Sequence, residues 1–172
     1  EAVSPRILKL LSRRLAESDA HFHWTGAARF EPSLDAQTLQ QMARAGCRML
    51  MFGLESGSPR ILQKINKGIS LEVAKRILKD SAEAGIWNHI FFFFGFPGET
   101  ADEAQETIHF FRENGQYIHS ACSGTFMLER HSSVEASPQS YGVSRLIRPP
   151  DRDLLYYYDY EAASGMSAGE AE

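Results

Sequence analysis

Apolar positions along this chain alternate between two rhythms. Ile7, Leu8, Leu11 and Leu15 recur at helical spacing behind Ser4-Pro5, a cap followed by a proline at the first helical position. His21 to Ala27 reads as extended. A second helix is predicted from about Leu34 to Ala45, with Gly46 as its stop, and then Cys47 to Leu54 is a continuous apolar strand apart from Arg48. Ser58-Pro59 opens a short helix carrying Ile61, Leu62 and Ile65, and Ser70 opens a longer one ending at Gly85. Ile86 to Phe94 is a further strand with a run of phenylalanines. Thr100 and Glu103 have the spacing of a capping box, in which two side chains satisfy each other's free backbone donors. That helix runs to about Asn114, Gly115 stops it, and Ser120 to Leu128 is a last strand.

One unit repeats. Ala43 to Gly53 and Ala82 to Gly95 both read helix end, glycine, buried strand, glycine, and the stretch from Glu113 repeats this loosely. Strands apolar on both faces and separated by helices predict a parallel sheet with helical crossovers. The expected fold class is α/β, parallel strands with outer helices around a barrel-like core. The barrel portion is expected over 1–137. Residues 138–172, with Tyr141-Gly142, Pro149-Pro150 and Tyr156 to Tyr158, are expected to form an irregular extension.

Composition narrows this little. A chain of 172 residues, 43% hydrophobic and 23% charged, suits one globular domain with a single core. A net charge of −4 disfavours nucleic acid as a partner. The longest apolar run, Ile90 to Phe96, is too short to cross a bilayer, and no signal segment opens the chain, so a cytoplasmic location is expected. Both ends have the look of cuts within a longer protein. Cys47 and Cys122 have neither zinc nor cluster spacing and read as packing residues.

The chemistry concentrates in two loops. GLESGS (Gly53 to Ser58) and GFPGET (Gly95 to Thr100) each follow a buried strand and precede a helix. In parallel folds that edge holds ligands. Either loop alone is equally well an ordinary βα turn, but two glycine–acid loops at equivalent places favour a site. Neither ends in the Lys-Ser/Thr of a phosphate loop, and each carries a glutamate that repels phosphate. A carboxylate there suits sugar hydroxyls or an ammonium, Lys67 or Arg29 suits a carboxylate, and the aromatic strand end Phe91 to Phe96 suits a flat base. S-adenosylmethionine combines all of these groups.

At this point the sequence resembles a known family. FGLESGSPRILQKINKG, then AGI, then FFFFGFPGET, with WTGAARF (Trp24 to Phe30) before and SYGV (Ser140 to Val143) after, is similar to the radical S-adenosylmethionine (radical SAM) superfamily, in the branch often fused to an N-terminal cobalamin-binding domain. The resemblance spans roughly Trp24 to Ala168. It implies a partial or full (β/α) barrel with the cofactor across the strand ends. It implies that Glu55, with Ser56 beside it, meets the cofactor's ribose, and that Lys67 and Arg29 meet the methionine carboxylate. Phe93 and Gly95 would flank adenine, and Gly98 and Glu99 would sit in the adjoining loop.

One departure is large. The family's C-x3-C-x2-C run, which holds a [4Fe–4S] cluster, is absent from this sequence. The expectation is therefore a fragment that binds S-adenosylmethionine, with the cluster ligands and any cobalamin domain upstream, and inactive by itself. In the intact parent the reaction would be reductive cleavage of S-adenosylmethionine to a 5′-deoxyadenosyl radical, or cobalamin-dependent methyl transfer. Two alternatives stand beside it. One is a metal-dependent barrel hydrolase using His21 and His23, although these lie at the start of their strand and His109 lies on a helix away from the strand ends. The other is a non-catalytic module that binds an adenosyl ligand or a partner. The tyrosines from Tyr156 to Tyr160, set among Asp151, Asp153, Asp159 and Glu161, read as packing against the barrel rather than as a nucleic-acid surface.

Overall fold

The structure, a computed structural model, describes residues 2–19, 21–148 and 154–171, so Pro149-Pro150, Asp151 and Asp153 lie outside the described residues. Four strands, β1 (Trp24–Ala28), β2 (Cys47–Glu55), β3 (Trp87–Phe94) and β4 (Ser120–Thr125), form one parallel sheet in chain order. Between them run α1 (Pro5–Ala16), which precedes β1, then α2 (Ala36–Arg44), α3 (Pro59–Ile65), α4 (Leu71–Glu83) and α5 (Ala101–Asn114). Each connection is a helical crossover, as parallel pairing demands. The four strands do not close into a barrel.

The helix boundaries follow from their caps. Pro5 occupies the first turn of α1, where a missing N–H costs nothing. The second helix starts two residues later than the apolar pattern predicts. Asp35 accepts the backbone N–H of Thr38 at 2.7 Å and so caps it, and these bonds hold the Asp35 carboxyl below its usual range.

One core lies between the sheet and its helices. Leu50, Phe52 and Leu54 of β2 and Ile90 of β3 meet Leu8, Leu39, Met42, Ile77, Leu78 and Phe110, all buried. The Phe52 ring stacks on Phe30 at 4.6 Å. The opposite face corrects the expectation of strands buried on both sides: Trp87 is 47% and Phe91 42% exposed there. Among the described residues no helix covers that face, which in a closed barrel would be the interior. Cys47 packs in the core, where burial pushes its thiol up to about 12, whereas Cys122 is exposed on β4 rather than packed.

The segment expected to be irregular contributes two strands to a second sheet, whose third strand comes from the stretch before it. Strands β5 (Leu128–Glu129), β6 (Val143–Ile147) and β7 (Tyr157–Ala162) pair antiparallel in the order β5-β7-β6. Alternation explains why the pattern was hard to read. Tyr158 and Tyr160 turn towards a small core with Phe96, Leu128 and Val143, while Tyr156 and Tyr157 remain exposed. Short turns of helix, α6 (Ser133–Ala136) and α7 (Ala168–Ala171), follow β5 and β7.

This division of faces predicts unequal tolerance to substitution. Phe52→Ala should cost about 3–5 kcal/mol, because it opens a cavity in the packed face. Phe91→Ser should cost under about 1 kcal/mol at its exposed position. Urea denaturation of the two variants measures the difference.

Candidate functional site

The first strand-end loop begins with a break in the sheet. Gly53 pairs with Phe91 and Glu55 with Phe92, so one extra residue bulges from β2 just before the loop. Ser56 N–H bonds back to the Leu54 carbonyl at 2.9 Å, closing a three-residue turn centred on Glu55, whose φ is +70°. A non-glycine residue in that conformation is strained, and such strain collects at binding sites. The turn folds the Glu55 carboxylate over Gly53, where any side chain would collide with its Oε1.

The Glu55 carboxylate then meets the Lys67 ammonium in an ion pair. Asn66, left-handed at φ +57°, ends α3 and swings the chain so that Lys67 faces back towards β2. Arg29, just past β1, donates from Nη2 to the Lys67 carbonyl at 2.8 Å and lies 3.9 Å from Glu31. Arg29, Phe30, Gly53, Glu55, Asn66 and Lys67 line one hollow of about 410 Å³. The Lys67 side chain is half-exposed and that of Glu55 mostly covered, so a ligand can reach the cation first.

Ser56, expected beside Glu55 at the ligand, points elsewhere. It is fully buried, its hydroxyl lies 3.2 Å from the Thr107 hydroxyl, and it accepts the Ser58 N–H at 3.1 Å. Thr107 also accepts the Gly57 N–H at 2.8 Å. A Cβ on Gly57 would lie 2.6 Å from the Thr107 Cα, so glycine is what lets this loop rest directly on α5.

The second loop is folded around Glu99. Its Oε2 accepts the N–H groups of Gly95 at 2.6 Å and Phe96 at 3.3 Å, while Oε1 is buried without a partner among the described residues. Burial raises the Glu99 pKa against the pull of those two bonds. Lys64 donates to the Pro97 carbonyl at 3.0 Å, Arg60 donates to the Gly98 carbonyl, and both come from α3. Gly98 lies against Lys64, and Phe93 packs on Phe96 and Phe126 in the small core. Gly95 opens on a different hollow, on the side of β4 and β7. The structure thus gathers Arg29, Glu55 and Lys67 in one place and sets Phe93, Gly95 and Gly98 around the neighbouring strand end.

Arg60, Lys64 and Thr107 were missed by motif reading, and Glu103 was read only as a helix cap. Arg60 and Lys64 stand four apart on α3 and hence on one face, which was the available signal. Glu103 accepts from Arg60 through both oxygens and from the Thr100 N–H at 2.9 Å. The Arg60 guanidinium, followed by the Thr100 bonds, holds the Glu103 carboxyl down at about 2.

The histidines make no comparable centre. His21 and His23 precede β1 and line a hollow that also holds Arg44 and Arg48, cations that repel a metal ion. Among the described residues no three His, Cys, Asp or Glu side chains gather as metal ligands.

Parallel strands carrying a carboxylate and cations at their C-terminal edge define an α/β domain of the barrel type with a candidate ligand site. The Radical SAM superfamily model matches residues 5–111, and the chain belongs to that superfamily. An uncharacterized methyltransferase of Pyrococcus horikoshii is 33% identical over 100 residues, 58% of this chain and 22% of that protein. A cytidylyl-2-hydroxyethylphosphonate methyltransferase of Streptomyces wedmorensis is 32% identical over 89 residues, 48% of this chain and 17% of that one. The chain therefore spans about a fifth of these relatives. Among solved structures, the radical S-adenosylmethionine methyltransferase TsrM of Kitasatospora setae aligns with TM-score 0.60 at 20% identity, over 73% of this chain and 23% of that one. The coproporphyrinogen III oxidase HemN of Escherichia coli, a radical SAM enzyme, aligns with TM-score 0.59 at 14% identity, over 81% and 32%. These likenesses show a shared fold.

The tie between the two loops predicts an acid-sensitive step. Glu103 has a depressed pKa in the folded chain, so its contribution is present above about pH 4.5 and is lost as pH falls towards about 2. Allowing for solvent at the half-exposed Arg60 head, that loss is about 1–2 kcal/mol. Glu103→Gln should flatten the fall in stability between pH 5 and pH 3, measured by urea denaturation at each pH.

Proposed function

We propose that this chain supplies the S-adenosylmethionine-binding portion of a radical SAM enzyme whose cluster ligands lie outside it. The observation that carries the reading is the Glu55–Lys67–Arg29 group at the ends of β1 and β2. The donor set fits the cofactor: two cations for its carboxylate, one carboxylate for its ribose hydroxyls, and beside them a glycine-bearing strand end for its base. Adjacent strands are about 4.8 Å apart, so the ends of β1, β2 and β3 span about 10 Å, a length an extended nucleoside–amino acid can follow.

In this reading Lys67 exchanges partners. Its exposed pair with Glu55 is worth at most about 1 kcal/mol, so a ligand carboxylate can take over the ammonium at little cost. Arg29 stays bound to the Lys67 backbone and keeps its remaining donors for the same carboxylate. Released from Lys67, Glu55 accepts from the ribose hydroxyls, and the Glu55 turn keeps it aimed there. Phe93 lends an apolar edge to adenine, and Gly95 lets the backbone come close.

When bound, the cofactor supplies either reductive cleavage at its sulfonium or a methyl group for transfer. The match to methyltransferases supports the second outcome for the intact parent, with cobalamin as an additional group. The residues present do not fit a [4Fe–4S] cluster. Cys47 is buried as a neutral thiol and Cys122 stands exposed on β4, so no step is assigned to a cluster on this chain.

The test is titration calorimetry with S-adenosylmethionine or S-adenosylhomocysteine. Loss of one charge-assisted contact at Glu55→Ala should weaken binding by about 10- to 100-fold. Lys67→Met should weaken it less, since Arg29 remains. Equal affinity of Glu55→Ala and the unaltered chain overturns the assignment.

A further inference from the structure

The hollow beside Gly95 is larger than the one at Glu55 and has a different character. It encloses about 670 Å³, a size suited to a small organic ligand. Gly95, Phe126 and Tyr160 line it on the side of the small core, and the exposed Tyr157 and the carboxylates of Asp159 and Glu170 line it as well. No lysine or arginine lines it among the described residues.

Several of these groups are already fixed. The Tyr160 hydroxyl donates to the Gly95 carbonyl at 3.2 Å, and its ring meets Phe126 edge-on at 5.8 Å, so the Tyr160 side of the hollow is held by the loop beside it. Gly165 lies against Gly98 and Glu99, and Met166 N–H bonds the Glu99 carbonyl at 2.8 Å. Glu170 Oε2 accepts from Ser167 at 2.8 Å, whereas the Asp159 carboxylate has no hydrogen bond or ion pair among the described residues. The same small sheet already shows the chemistry its rings favour: the Arg148 guanidinium lies 5.7 Å from the centre of the Tyr158 ring.

Aromatic faces and carboxylates without any opposing cation select one class of ligand. We propose that this hollow binds an organic ammonium carried on an apolar or aromatic body, and that it is the substrate pocket of the enzyme. The ammonium sits over Tyr157 beside Asp159, and the body lies on Phe126 against Gly95. Naming the ligand a substrate rests on the cofactor reading above, because Gly95 is common to both; the binding itself does not depend on it. An anionic ligand is rejected here, as it is not at Arg29 and Lys67.

The experiment titrates the full chain with phenyltrimethylammonium, with its neutral isostere tert-butylbenzene, and with benzoate. Backbone amide shifts at Gly95, Phe126 and Tyr160 are followed by NMR. Saturable shifts with the cation are expected, at least about fivefold weaker with the neutral isostere and absent with benzoate, the contrast a cation–π and carboxylate site produces. Asp159→Asn should weaken the cation about fivefold or more, and Glu55→Ala should leave it unchanged. Equal binding of cation and isostere, or shifts that avoid all three amides, overturns the proposal. Competitive displacement of the probe by S-adenosylhomocysteine, with joint loss in Glu55→Ala, also overturns it: the hollow then belongs to the cofactor, and the cofactor reading stands. S-adenosylhomocysteine affinity that is the same in Glu55→Ala and the unaltered chain, with the ammonium still bound, sinks the cofactor reading alone.

Discussion

The carboxylate of Glu103 is the point through which both strand-end loops are held. It closes the capping box with Thr100 and so starts α5 directly after the second loop. It also binds Arg60, which rises from α3 directly after the first loop and reaches across to the Gly98 carbonyl. One carboxylate therefore joins a helix start, a neighbouring helix and, through Arg60, the loop that precedes its own helix. The pair of Arg60 with Glu103 is covered about as much as that of Lys67 with Glu55; what sets it apart is that both carboxylate oxygens are engaged, by Arg60 and by Thr100 together. Removing one partner leaves the other with its donors or acceptors unmatched, which costs more than the pair contributes.

That tie explains why the two loops can be soft in one place and rigid in the rest. Glu55 occupies a strained conformation, and among the described residues its carboxylate is paired with a half-exposed lysine alone. Nothing in that pair resists exchange. Two residues on, Gly57 lies on the backbone of α5, with Thr107 holding its N–H. The strain at Glu55 persists because both flanks are fixed, by the sheet on one side and by α5 on the other. An exchangeable carboxylate on an inflexible mount is what a binding site requires.

Much of this was legible before any coordinates. The repeated glycine–strand–glycine unit pointed to the parallel sheet, because apolar runs separated by helices suit strands joined by helical crossovers, although one face of those strands is exposed. Ser4-Pro5 and the Thr100–Glu103 box located helix starts through local chemistry alone. Arg29, Glu55 and Lys67 emerged from placing charge at strand ends. Ser56 did not, because sequence shows that a hydroxyl stands next to a ligand candidate and not which way it turns. β6 and β7 were obscured for a related reason. Their strands are short and half-exposed, so the alternation of Tyr157 to Tyr160 looks like a tyrosine cluster until pairing with Val143–Ile147 separates its faces. Arg60 and Lys64 make contacts to backbone carbonyls, which carry no residue identity and leave no trace in a motif.

The two hollows differ in sign, and the order of the strands keeps that difference apart. Arg29 stands past the end of β1 and Lys67 beyond α3, with Glu55 between them at the end of β2, whereas Asp159 on β7 and Glu170 on α7 line the other hollow with no cation among the described residues. Between them lies the Gly95–Glu99 loop, whose own carboxyl is buried and pushed towards its neutral form. Its Oε2 holds the Gly95 and Phe96 N–H groups, so the loop is latched from within by a side chain it has itself buried. Arg60 and Lys64 hold the same loop from outside through the Gly98 and Pro97 carbonyls. A loop fixed from both sides keeps the surroundings of Lys67 apart from those of Asp159, and that separation follows from packing and hydrogen bonding alone.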